Sequence, residues 1–219
     1  MIKVREFPES NYRSIYFNGK SIRIALDPSK PITELEYPEF YDVKITGFCK
    51  GKCPWCYMDS KETDEHYMNA VEKITSYFGP LTENQRPFQV AIGGGEPTSH
   101  PFFEEILEAF HGLGITPNYT TNGMFAGGEN DYSIIQATKK YCGGVAVSCH
   151  PHLRKHWEKA AAFYNIAGVK LNFHLIISDR KSIDEFKEIY DEWKDKVEYF
   201  VLLPYGSLGR ASHKDIDRE

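Results

Sequence analysis

The chain has 219 residues, 41% of them hydrophobic, which is enough to bury one good core and too few for two enzymatic domains. Its 26 basic and 31 acidic residues leave a net charge of −5 with no run of like charges, so coating a nucleic acid or a membrane surface has no electrostatic basis. No segment approaches the roughly 20 apolar residues of a bilayer span, and Met1-Ile2-Lys3-Val4-Arg5-Glu6 lacks the apolar core of a signal peptide, so a cytoplasmic protein is expected.

Residues 12–17 and 20–26 flank Asn18-Gly19, a dipeptide that accepts positive φ at both turn positions, and predict a β-hairpin within an N-terminal appendage of residues 1–40. From residue 41 onward β-rich runs at 41–46, 88–92, 115–121, 144–149, 169–177 and 197–203 alternate with helical periodicity. The first helical stripe is Tyr67, Val71, Ile74 and Phe78, stopped by Gly79-Pro80; the second follows Pro101 as Phe103, Ile106, Leu107, Phe110 and Leu113. A weaker helix covers 132–141, a fourth runs from Pro151 through Trp157 and Phe163, and a fifth opens at Ser182-Ile183-Asp184-Glu185, read as a capping box. Strands separated by helices predict a parallel α/β domain over 41–219, either a doubly wound sheet or a partial β/α barrel.

Three of the five cysteines, Cys49, Cys53 and Cys56, crowd the loop after the first of these strands, which is the spacing of a metal or redox site and not of a disulfide framework. Three thiolates leave one iron of a four-iron cluster open. A structural zinc taking a fourth ligand from Cys142, Cys149 or a histidine, and a thiol oxidoreductase using Cys53-Pro54-Trp55-Cys56, are the alternatives. Further on, Gly93-Gly94-Gly95-Glu96-Pro97 combines close backbone approach with a carboxylate suited to an ammonium group. No Gly-Lys-Ser/Thr follows, and Glu96 would repel a phosphate. On the fifth parallel strand, Asn172 and His174 share one face by the two-residue period and are expected to line a lumen.

The Cys-x3-Cys-x2-Cys spacing with Trp55 before the last cysteine, the Gly-Gly-Glu segment, Thr120-Thr121-Asn122-Gly123, Val147-Ser148-Cys149-His150 and Leu202-Leu203-Pro204-Tyr205 together resemble the radical S-adenosylmethionine (radical SAM) enzymes over residues 41–210. All of these segments fall at carboxyl ends of predicted strands, where parallel α/β folds place their sites. The resemblance implies a partial (β/α)6 TIM-like barrel in which Cys49, Cys53 and Cys56 hold a 4Fe-4S cluster. It implies S-adenosyl-L-methionine bound by Trp55, Tyr57, Gly94, Gly95, Glu96, Thr121, Asn122, Ser148, His150, Asn172 and Leu203, with Glu96 at the ammonium and Trp55 and Leu203 at the adenine. The family's common Ser-Leu-Asp continuation is absent after Ser148, so Cys149, His150 and His174 are the candidate catalytic side chains.

The expected chemistry is reductive cleavage of S-adenosylmethionine to a 5′-deoxyadenosyl radical that takes hydrogen from a substrate. Lys50 and Lys52 would steer an acidic flavodoxin or ferredoxin donor. Cys142 and Cys149 are too few for a four-cysteine auxiliary cluster, and the tail 212–219 is expected to add no covering domain. A glycyl-radical activase, a nucleotide or cofactor biosynthetic enzyme, and a peptide or protein modifier remain open. A large or partner-delivered substrate is preferred, with the 12–26 hairpin as the alternative lid. The rival class is non-catalytic, an iron-sulfur electron carrier or a zinc-stapled binding module, and the Gly94-Gly95-Glu96 segment argues against both.

Overall fold

The computed structural model describes residues 2–213, so the tail reading lies largely outside the described residues. Strands β1 (Ile2–Phe7), β2 (Tyr12–Phe17) and β3 (Lys20–Ala25) form an antiparallel sheet in that order. Asn18 and Gly19 both take positive φ, 50° and 79°, as the hairpin reading requires. Strand β1 was not anticipated, and its pattern explains why: Arg5 and Phe7 are buried while Ile2 and Val4 are exposed, so its hydrophobic alternation points away from the side that packs.

The main sheet has six parallel strands in sequential order: β4 (Phe40–Thr46), β5 (Gln89–Gly94), β6 (Thr116–Thr121), β7 (Gly144–Ser148), β8 (Leu171–Ile177) and β9 (Tyr199–Pro204). Among the described residues, α1 (Ala70–Phe78), α2 (Phe103–Gly112), α3 (Asp131–Tyr141), α4 (Arg154–Ala167) and α5 (Arg180–Trp193) follow the first five strands in turn. This is the partial (β/α)6 barrel. The core lies between strands and helices, where Val90, Ile92, Tyr119, Val147 and Phe173 meet Ile106, Phe110 and Trp157. Strand β8 shows the alternation: Leu171, Phe173 and Leu175 are buried, and Asn172, His174 and Ile176 take the other face.

One cap differs from expectation. Asp179, not Ser182, is the N-cap of α5: its carboxylate accepts from the Ser182 N–H at 2.8 Å, and its own N–H donates to Ser182 Oγ at 3.0 Å. The serine stands at the third helical position of the box, with Glu185 outside it.

Helix-to-strand connections put the N-terminal sheet on the barrel floor. Arg5 lies over the Phe88 ring at 3.9 Å and donates to the Arg86 carbonyl, and Tyr16 stacks on the same ring at 5.3 Å. Lys3 donates to the Gly114 carbonyl, Lys170 donates to Asn18, and buried Glu39 accepts from Ser14 and Arg23. These partners precede β4, β5, β6 and β8, the end opposite the cysteine loop. The arc stays open between its edges β4 and β9, and Tyr199, Val201, Leu202 and Leu203 of β9 are exposed there.

Candidate functional site

The loop leaving β4 carries the cysteines and is pinned along its length. Gly47 N–H donates to the Glu65 carbonyl (2.9 Å), Cys49 N–H to the Lys61 carbonyl (3.0 Å), and Tyr67 N–H back to the Ile45 carbonyl (3.0 Å). The end of β5 packs backbone to backbone against this loop. A Cβ on Gly95 would sit 2.0 Å from the Phe48 carbonyl oxygen, and one on Gly94 (φ 121°) would sit 2.2 Å from that of Thr46. These two glycines let the two loops approach each other; Gly93, with nothing within 4 Å of its added Cβ, leaves space beside them.

A cavity of about 560 Å³ opens above these strand ends. Its wall includes Cys49, Cys53, Trp55, Cys56 and Tyr57 from the loop, Gly93 to Glu96 from β5, Thr121 and Asn122 after β6, Ser148 and His150 after β7, His174 from β8 and Leu203 from β9. The structure therefore brings all but two of the predicted site residues to one chamber. Asn172 shares the face of His174 but lies deeper and is not part of the wall; its Oδ1 is buried without a hydrogen-bond partner. Cys149 is the second exception. Strand alternation turns it away from Ser148, and its thiol is buried in the core, donating to the Val147 carbonyl at 3.7 Å. Cys149 therefore has no place in the wall of this chamber; it borders a neighbouring cavity of about 530 Å³ with Trp55 and His150. A larger cavity of about 790 Å³ lies between α2 and α3 and contains none of the cysteines.

All five cysteines are free thiols. Those of Cys49 and Cys53 flank Gly51, where an added Cβ would lie 3.3 and 3.4 Å from their sulfurs. Burial first, and then charge on Cys49 and Cys56, pushes the Cys53 thiol up to about 12. A cationic inorganic core would relieve both effects, so the donor set fits an iron-sulfur group. Among the described residues, no three His, Cys, Asp or Glu side chains are gathered to hold a single ion.

The family model of the radical SAM superfamily matches residues 43–191. The chain belongs to this superfamily. Membership supports enzyme status and implies S-adenosylmethionine and an iron-sulfur cluster as cofactors. Similar solved structures include Streptococcus suis SuiB bound to precursor peptide SuiA, 19% identical with a TM-score of 0.66 over 84% of this chain and 43% of that one. Another is anSMEcpe with bound AdoMet, 18% identical with a TM-score of 0.61 over 77% of this chain and 52% of that one. At these identities the likeness establishes the fold, and this chain spans about half the length of those relatives. No curated protein matches it.

In this radical SAM chain Glu96 has a different surrounding from the one expected. Its buried carboxylate accepts four hydrogen bonds: Thr98 N–H (3.2 Å), Thr98 Oγ1 (2.6 Å), Thr121 Oγ1 (2.7 Å) and Asn122 N–H (2.8 Å). Burial pushes its pKa up, opposed by those bonds. Thr121 and Asn122 are likewise engaged within the frame, and Asn122 Nδ2 donates to the Cys49 sulfur at 3.6 Å. Trp55 Nε1–H donates to His150 Nδ1 at 3.3 Å, which leaves the proton of the neutral imidazole on Nε2. Burial, with His152 second, lowers the His150 pKa to about 4. His152, which the sequence reading passed over, donates from Nε2 to the Gly51 carbonyl at 2.9 Å, in the middle of the cysteine triplet. No helix among the described residues is long and apolar enough to cross a membrane.

Proposed function

We propose that this enzyme holds a 4Fe-4S cluster on Cys49, Cys53 and Cys56 and acts on a peptide or protein segment that enters from the open side of the barrel. The convergence of the three thiols, the glycine run, Ser148, His150 and His174 on one chamber carries the reading. Bound there, the cluster supplies the electron that cleaves S-adenosylmethionine to methionine and a 5′-deoxyadenosyl radical able to take hydrogen from the substrate. The chain's own residues orient and enclose. Gly93 leaves room at the strand end for the methionine moiety, and Trp55 with Leu203 flanks the adenine. Neutral His150 offers its Nε2–H, and Ser148 its hydroxyl, as polar contacts on the far wall. Glu96, in the chamber wall, keeps the β5 and β6 ends together through Thr121 and Asn122.

The substrate class rests on what closes the chamber, since a radical must be kept from water. The N-terminal sheet lies on the barrel floor and not over the mouth, so the hairpin is removed as a lid. The gap between β4 and β9, with one apolar edge, suits an extended polypeptide. For the electron donor, Lys50 is the better contact for an acidic flavodoxin or ferredoxin, because Lys52 is already paired with Glu62 at 2.8 Å.

Iron and sulfide analysis after anaerobic reconstitution, followed by an assay for 5′-deoxyadenosine, tests the proposal. About four irons per chain, lost when all three cysteines become alanine, is the expected result. Stoichiometric zinc without sulfide would mean a stapled module instead.

A further inference from the structure

After β9 the chain returns to the cysteine loop, far from it in sequence. Gly209 (φ 58°) makes the contact possible: an added Cβ would lie 2.3 Å from the Tyr57 carbonyl oxygen and 2.6 Å from that of Cys56. Arg210 then grips the loop at four points. Its backbone N–H donates to the Cys56 carbonyl (2.9 Å), Nη1 to the Cys53 carbonyl (3.0 Å), Nη2 to the Ser60 carbonyl (2.6 Å), and Nε to Asp59 Oδ1 (3.0 Å).

Both cysteine carbonyls already accept one local bond, Cys53 from the Cys56 N–H and Cys56 from the Asp59 N–H, each at 3.2 Å. Arg210 therefore takes the second lone pair of each. A guanidinium presents its donors in a fixed planar fork, so three side-chain bonds at different angles fix the 53–60 segment as one body; an ammonium would act as a single point. Held 3.0 Å from the Cys53 carbonyl, the same guanidinium brings a positive charge beside that cysteine. Positive charge favours the electron-rich form of whatever the thiols hold.

We infer that Arg210 is the positioning residue of the cysteine loop. It sets Cys53 and Cys56 before any cofactor arrives, and its charge makes the loaded site easier to reduce. The second half rests on the function proposed above; the first half does not.

Hydrogen exchange on cluster-free protein tests the first half. In Arg210→Ala the amides of Cys56 and Asp59 should exchange about ten-fold faster or more, with β5 and β6 unchanged. Arg154→Ala, which removes an arginine that pairs with Glu158 and Glu192 on the helices, should leave the loop as it was. Arg210→Lys should loosen the loop nearly as much as alanine, because it keeps the charge and loses the fork. After reconstitution, Arg210→Ala should shift the cluster midpoint to more negative potential while Arg210→Lys stays near the parent. Loop exchange within about two-fold of the parent, or a rise spread evenly over the chain, would overturn the positioning role. Equal potentials in parent and alanine variants would overturn the electrostatic one. A parent protein that never takes iron would refute the proposed function while leaving the exchange measurement to judge Arg210.

Discussion

Glu96→Ala separates a frame carboxylate from a ligand carboxylate. The substitution removes the acceptor of four donors at once. Both threonine hydroxyls can turn to other acceptors, but the Thr98 and Asn122 N–H groups are fixed by the backbone and remain buried. Each orphaned donor costs about 1–3 kcal/mol, and relief of the carboxylate's own desolvation offsets part of the sum, so a net loss of about 2–4 kcal/mol is expected. For a chain of this size that lowers the melting temperature by about 4–16 °C. Glu96→Gln keeps one oxygen but sets an amide N–H₂ against a donor, so its loss should lie between parent and alanine. Thermal unfolding of cluster-free protein by circular dichroism reads this without ligand. An alanine variant melting within about 2 °C of the parent, yet weakened in S-adenosylmethionine binding, would show that the carboxylate serves the ligand and that its hydrogen-bond frame is incidental.

Gly95→Ala should abolish iron uptake, because its Cβ would overlap the Phe48 carbonyl; Gly93→Ala, facing open space, should change the melting temperature little, and iron content with melts compares the two. Stability should fall as pH drops from about 6.5 toward 4. His150 is neutral in the folded chain down to about 4, whereas the unfolded chain takes up its proton near 6.5, so folding is opposed across that window by up to about 3 kcal/mol for this residue alone. Burial lowers His66, His100 and His174 in the same sense, so urea midpoints at pH 7.5 and 5 should differ, and by less in His150→Asn. Cys149→Ala should retain full iron content while losing about 1–2 kcal/mol of stability by urea titration, since the thiol packs in the core.

The parallel strands were legible because each pairs a buried helix-facing row with a strand-end signal, as in Ile92 followed by the glycine run or Val147 followed by Ser148. The cysteine triplet was legible because all three ligands sit on one loop. What the sequence hides is the direction of a polar group. Glu96 next to three glycines looks like an open anion, and only the fold shows its donors arriving from Thr98, Thr121 and Asn122. Arg210 escaped a role for a related reason, as it stands 151 positions from its partner Asp59, and nothing local marks that pairing. Cys149 and Ser148 are neighbours in sequence, yet the strand period sends them to opposite layers.

The sheet on the barrel floor also has a mechanical consequence. Six strands form an arc with free ends, and such an arc can widen or narrow in a way that a closed ring of eight cannot. Arg5, Lys3, Asn18 and Glu39 tie together the starting ends of four of those strands, so the floor behaves as a clamp. At the opposite rim the two edge strands do not pair, yet Arg210, after β9, holds the loop that leaves β4, so the arc is braced at its base by a sheet and at its top by one side chain.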